Sequence, residues 1–133
     1  LESLSPNRLG HGVRSAEDPQ LLELLASKQI ALEVCPASNV SLGVYSTLEE
    51  VPVRELTAAG ILVALGSDDP LLFGTRLAGQ YALLRAAQDF SDRELADLAR
   101  SSILASQAPE KLKLESLAGI ERWLSTGHGN MNP

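Results

Sequence analysis

The sequence predicts an α/β fold built on a parallel sheet, and three observations carry that reading. Residues 61–65 form an unbroken aliphatic run, Ile-Leu-Val-Ala-Leu, with no polar alternation. Such a run reads as a strand covered on both faces, as in parallel sheets. Strand-like segments also occur at 7–12 and 30–34, and each of the three is followed by a helix-like segment. Strand–loop–helix repeated in this way implies right-handed crossovers between parallel strands. Finally, the run at 61–65 passes abruptly into Gly66-Ser67-Asp68-Asp69-Pro70. Parallel sheets place their chemistry at the carboxyl ends of the strands, so two acids there occupy an active-site position.

The elements follow in order. Asn7-Arg8-Leu9 starts a short strand that runs into Gly10-His11-Gly12. A helix is predicted over about 18–29, with Leu21, Leu22, Leu24, Leu25 and Ala26 on its apolar face. Residues 30–34 make the second strand, closing on Cys35-Pro36-Ala37-Ser38-Asn39, from which a long turn leads to a helix near 52–59. Gly60 is its expected C-cap. After the third strand a helix is predicted over about 76–88. Ser91-Asp92-Arg93-Glu94 has the spacing of a capping box and starts a helix expected to reach about 107. Pro109 opens another, with Leu112, Leu114, Leu117, Ile120 and Leu124 as its expected buried stripe. Residues 1–125 read as one unit and 126–133, rich in Gly and Asn, as a flexible tail.

Composition bounds the function. The chain has 133 residues, 44% of them hydrophobic and 21% charged, which suits one ordinary globular domain. Its net charge is −6 and it has no basic stripe, so nucleic acid is not an expected partner. No apolar run approaches the ~20 residues that span a bilayer, and the first residues have no signal-type core, so no membrane is expected and the cytoplasm is the natural compartment. Cys35 is the only cysteine, which excludes an intrachain disulfide and a Cys-x-x-Cys zinc site. Three βα units fill only part of a barrel, which typically needs ~250 residues. A three-stranded sheet alone would leave two edges and apolar surface exposed. With Leu1 in place of an initiator Met, the expectation is a piece of something longer.

Asp68 and Asp69 are the first candidates. Asp-Pro opens turns and helices well, since Asp caps free N–H groups and Pro suits the first turn. A cap accounts for one Asp but not for two adjacent like charges after a buried strand. A metal ion or a protonated ligand nitrogen would resolve that cost. His11, between two glycines at the end of the first strand, can accept a proton or bind metal. It sits at the equivalent point of a neighbouring unit, so these groups are expected to converge on one mouth. His128 lies in a second Gly-His-Gly with no strand before it and reads as a decoy. Cys35 reads as a buried strand-end cysteine, with no local basic group to lower its pKa. Ser38 and Asn39 suit either ligand contacts or loop support.

Arg8-Leu9-Gly10-His11-Gly12, then Cys35-Pro36-x-Ser38-Asn39, then Ser67-Asp68-Asp69-Pro70 with Phe73 after it, together resemble the C-terminal half of the adenosine/adenine deaminase family. The likeness runs from about 7 to 125 and includes Ser102-Ile103-Leu104. It implies about the sixth to eighth strands, and the following helices, of a (β/α)8 TIM-type barrel. It also implies zinc-dependent hydrolytic deamination of a 6-aminopurine, adenosine to inosine and ammonia foremost. By the resemblance His11 is the histidine that orients and helps deprotonate the attacking water. Asp68 is similar to the aspartate that ligates the zinc and contacts that water. Asp69 is similar to the residue that hydrogen-bonds N7 of the purine.

The departure from the family is as informative. Its other ligands, a His-x-His pair and a further His, and its proton-donating Glu have no counterpart, because His11 and His128 are the only histidines. They are expected in a missing N-terminal half of the barrel, the partner without which the chain should be inactive. Adenine and aminodeoxyfutalosine are the rival substrates. Two readings of another kind are a non-catalytic half-barrel and a metal-independent domain in which the Asp pair only caps a helix.

Overall fold

The computed structural model describes residues 4–126. Three strands, β1 (Arg8–Gly10), β2 (Ala31–Val34) and β3 (Val63–Leu65), form one parallel sheet in the order β1-β2-β3. Leu9 pairs with Leu32, Leu32 with Val63, and Val34 with Leu65. All three strands therefore end at the same edge, and the chain leaves each of them at the same side.

Helices complete the crossovers. A short 3-10 helix (Val13–Glu17) precedes α1 (Pro19–Ser27), whose start is fixed by Asp18: its Oδ1 accepts from the N–H groups of Gln20 and Leu21. The Cys35-Pro36-Ala37-Ser38-Asn39 segment, expected as a loop, instead forms a helix, α2 (Pro36–Ser41). Proline at the first helical position explains the start, since its missing N–H would have no partner there. The next free amide, of Ala37, donates to Gln80 Oε1 at 3.1 Å, a partner that lies far along the chain. Then come α3 (Val53–Ala58), with Gly60 in left-handed backbone after it, α4 (Pro70–Phe73) and α5 (Leu77–Gln88).

The strand at 61–65 is shorter than its apolar run. The Ile61 N–H closes α3 on Leu56 O at 3.2 Å, so pairing starts only beyond it. The capping box forms as the spacing predicts, opening α6 (Asp92–Leu104), which ends three residues before 107. The last helix is α7 (Glu110–Ser125).

The core lies between the sheet and its helices. Leu32, Val34 and Val63 from the strands, Leu25, Leu56 and Leu84 from α1, α3 and α5, and Leu98 from α6 are all buried. Full burial of each such side chain stabilises by roughly 1.5–3 kcal/mol. The expected stripe on α7 is a correction: none of its described residues is buried, and Leu112 and Leu114 are exposed. The periodicity is real, but the main packing partner of α7 is α6, which covers only part of that face. Among the described residues no helix is long and apolar enough to cross a membrane. His128 and the tail beyond Thr126 lie outside the described residues.

Candidate active site

The site begins with where the strands stop. His11 follows the last residue of β1, Cys35 follows β2, and Gly66-Ser67-Asp68 follow β3. His11 and Asp68 both take left-handed backbone, φ 62° and 54°. An L-residue pays roughly 1–2 kcal/mol for that conformation. The two turns aim their side chains at a shared point: the ligand atoms of His11, Cys35 and Asp68 all lie within 4.8 Å of one another. Two of the three sequence candidates thus meet, and a third group joins them from β2.

These residues line a cavity of about 390 Å³ together with Arg8, Gly10, Glu33, Ala64 and Ser67. Arg8 and Glu33 form an ion pair there, running diagonally between neighbouring strands in which Arg8 is paired with Ala31 and Glu33 with Gly10. The sequence reading missed this pair. Its signal was the acid interrupting an otherwise apolar β2, but its partner sits on another strand.

Asp69 is placed differently. Its Oδ1 accepts from the N–H groups of Leu71 (2.9 Å) and Leu72 (3.1 Å), capping α4, and it is not among the residues lining the cavity. The capping role weighed for the Asp-Pro step belongs to Asp69, while Asp68 is left free of that duty. Oδ2 of Asp69 accepts no hydrogen bond among the described residues, so one oxygen of the carboxylate is uncommitted.

Cys35 is buried, as its strand-end position predicted, yet it reaches the cavity. Burial pushes its thiol pKa up and the Asp68 carboxylate pushes the same way, while the Asp68 and Gly66 backbone amides oppose them. The approach is close: a Cβ on Gly66 would stand 3.0 Å from the sulfur.

Ser38 is fully buried and donates to Cys35 O at 3.1 Å, which makes it a brace for α2. Asn39 is buried beside a second cavity, of about 550 Å³, that also touches His11. Its Oδ1 has no hydrogen-bond partner among the described residues.

An imidazole and a carboxylate gathered at the carboxyl ends of parallel strands is the arrangement of α/β barrel and open-sheet enzymes. Comparison with known proteins narrows that class. The chain belongs to the adenosine deaminase family, whose model matches residues 1–123.

A Streptomyces coelicolor protein provisionally named adenosine/adenine deaminase is 57% identical over 124 residues, covering 93% of this chain and 36% of the relative. An aminodeoxyfutalosine deaminase of Streptomyces avermitilis is 47% identical over 106 residues, covering 80% and 30%. Among solved structures, the adenine deaminase of Arthrobacter aurescens superposes with a TM-score of 0.87 at 35% identity, covering 90% of this chain and 36% of its own. The chain therefore spans about a third of the length of the relatives it matches.

Proposed function

We propose that this chain is the part of a 6-aminopurine aminohydrolase that carries the sixth to eighth strands of its barrel and the helices after them. The proposed reaction is hydrolytic deamination, adenosine to inosine and ammonia, in a protein whose remaining strands supply the other groups. The observation that carries this reading is the meeting of His11 and Asp68 at one mouth, in a chain of this family.

Each residue has a task in that reading. The His11 imidazole accepts a proton from the attacking water and holds that water toward the carbon bearing the amino group. Asp68 would be a ligand to a bound zinc ion, and its carboxylate would accept a hydrogen bond from the same water. The uncommitted oxygen of Asp69 faces N7 of the ring, where a negative charge favours the protonated nitrogen as electrons move into the purine. The cap on its other oxygen fixes the carboxylate in place, so its orientation costs nothing during the reaction.

A single exposed carboxylate beside an imidazole is a donor set that zinc accepts, and catalytic zinc takes at least three protein ligands. The described residues supply Asp68, and the reading puts the missing histidines and the acid that protonates the ring in the rest of the barrel. When bound, zinc supplies Lewis-acid activation of water at neutral pH.

The relatives' names leave adenosine, adenine and aminodeoxyfutalosine in competition. The test is to purify the longer protein bearing this chain and assay ammonia release from each of the three. Release from one of them, lost on removing zinc and restored on adding it, is the expected result. No release from any of the three by zinc-loaded protein overturns the proposal.

A further inference from the structure

We propose that the second cavity, the one beside Asn39, receives an uncharged apolar substituent on the amino nitrogen of the substrate. The enzyme would then also act on 6-(alkylamino)purines and release an alkylamine in place of ammonia. This inference rests on the aminohydrolase reading above and adds a second substrate class to it.

The position of the cavity sets the direction of the substituent. His11 is the one residue that lines both this cavity and the one holding Asp68. In the reading above, His11 stands at the carbon that bears the amino group. A group that enters the second cavity from there extends from the amino nitrogen. A substituent on N9 leaves from the opposite end of the purine, away from His11.

The walls set the chemistry of the occupant. Val13, Leu21, Leu42 and Val44 line the cavity, and Leu42 and Val44 are exposed although apolar. Arg14 lines it too, but its guanidinium is committed to Glu17 through hydrogen bonds of 2.7 and 2.9 Å. An ionic group therefore finds no free cation at Arg14. The volume of about 550 Å³ falls within the range of roughly 300–1,000 Å³ typical of small-molecule sites. An unsubstituted amino group would leave it almost empty.

Asn39 adds a polar group to these apolar walls. Its backbone is held on both sides: the N–H donates to Cys35 O at 3.0 Å and the carbonyl accepts from Val44 N–H at 2.9 Å. Its side chain is 3% exposed, and Oδ1 has no hydrogen-bond partner among the described residues. A buried amide oxygen is costly to leave in that state. Rotation of the amide turns it toward the cavity without breaking any hydrogen bond of that oxygen, and there it accepts from the N–H of the substituted amine. The reaction balances as a hydrolysis. The water oxygen bonds to the purine carbon, the bond from that carbon to the amino nitrogen breaks, and the nitrogen leaves with the proton from water as the free alkylamine.

The test uses the longer, zinc-loaded protein that bears this chain, with adenosine and adenine beside their N6-benzyl counterparts. Chromatography follows the 6-oxopurine and benzylamine. The expected result is that the N6-benzyl compound is hydrolysed with a kcat/KM within tenfold of its parent. Leu42→Ser, Val44→Ser and Asn39→Ala should each lower the ratio of the two kcat/KM values at least tenfold. Leu42 and Val44 are exposed, so their variants fold even if Asn39→Ala does not.

Turnover of a parent purine with none of its N6-benzyl counterpart overturns the inference and leaves the reading above standing. A ratio unchanged in Leu42→Ser and Val44→Ser also overturns it, because another stretch of the longer protein would then fill the cavity. If no purine is turned over, the reading above falls and calorimetry decides the inference. Tighter binding of N6-benzyladenosine than of adenosine, lost in Leu42→Ser, upholds the cavity as a site for the substituent. Equal binding of the two overturns it.

Discussion

His11 and Asp68 leave strands that do not touch, β1 and β3, yet their donor atoms lie within 4.8 Å of each other above the end of β2. Both make the turn in left-handed backbone, at φ 62° and 54°. The sheet alone would hold these chain ends about two strand spacings, nearly 10 Å, apart. The side chains reaching from the two turns close that gap, and both start from backbone that is locally costly.

Gly12 directly follows His11. It has φ 73°, and a Cβ there would stand 2.8 Å from Leu32 Cδ2, at the centre of the core. Gly12→Ala is expected to destabilise by about 2–3 kcal/mol, the sum of left-handed strain and overpacking. Gly10→Ala meets nothing within 4 Å and should change stability by less than about 0.5 kcal/mol. Urea unfolding of both variants checks the contrast. Equal losses would show that the glycines flanking His11 serve a common purpose.

Asp68 and Asp69 should fail differently in the longer protein. Asp68→Ala is expected to lower zinc content and turnover together while leaving stability near wild type, since Asp68 caps nothing. Asp69→Ala should cost about 1 kcal/mol of stability through the lost cap of α4. It should also cost roughly 100–1,000-fold in turnover through the lost charge. Asp69→Asn separates the two effects, because an amide oxygen still caps but carries no charge. Zinc analysis, kcat and thermal melts on the three variants decide it. Full turnover in Asp69→Asn would remove Asp69 from the chemistry and leave it a cap.

Gln80 ties α5 to α2. It is fully buried, its Oε1 accepts from Ala37 N–H at 3.1 Å, and its Nε2 has no partner among the described residues. Gln80→Ala leaves the Ala37 amide unsatisfied and opens a cavity, for an expected loss of about 2–4 kcal/mol. Hydrogen exchange at Ala37 provides the local readout. Unchanged protection there would mean that α2 does not rely on Gln80.

How much of this was legible in the sequence differs by element. The strands and their parallel direction were readable because a strand-like segment followed by a helical one, repeated three times around one unbroken aliphatic run at 61–65, has few other solutions. The capping box at Ser91–Glu94 was readable because all its partners lie within one turn. α2 was not: Pro-Ala-Ser-Asn has turn composition, and the acceptor for its Ala37 amide comes from α5. The periodic face of α7 was visible, but periodicity does not reveal how many neighbours will cover it.

The site follows the same rule. His11 and Asp68 could be found from position after a strand. The reach of Cys35 into the cavity and the Arg8–Glu33 pair depend on register between strands, which no local pattern encodes.

Acid stability should reveal the weight of one surface network. Glu94 accepts from Arg54 at 2.6 Å and from the backbone and hydroxyl of Ser91 at 2.8 and 2.7 Å. The Arg54 hydrogen bond, then the two from Ser91, hold its carboxyl well below the usual range, at about 2 in place of 4.5. A group whose pKa is depressed on folding contributes stability above its unfolded pKa and loses it as pH falls toward the folded one. The contribution of Glu94 should therefore be whole above about 4.5 and gone near about 2. Its side chain is 42% exposed, so solvent screening limits the ionic part to about 1 kcal/mol. Glu94→Gln keeps the shape and removes the charge, and the stability gap to wild type is expected to be about 1 kcal/mol at neutral pH. The gap should close as pH falls through that window, and shrink in high salt at neutral pH. Comparing the two proteins at each pH cancels the other carboxylates. Should the gap stay constant down to pH 2, the charge on Glu94 would contribute nothing, and its hydrogen bonds to Ser91 would carry the whole effect.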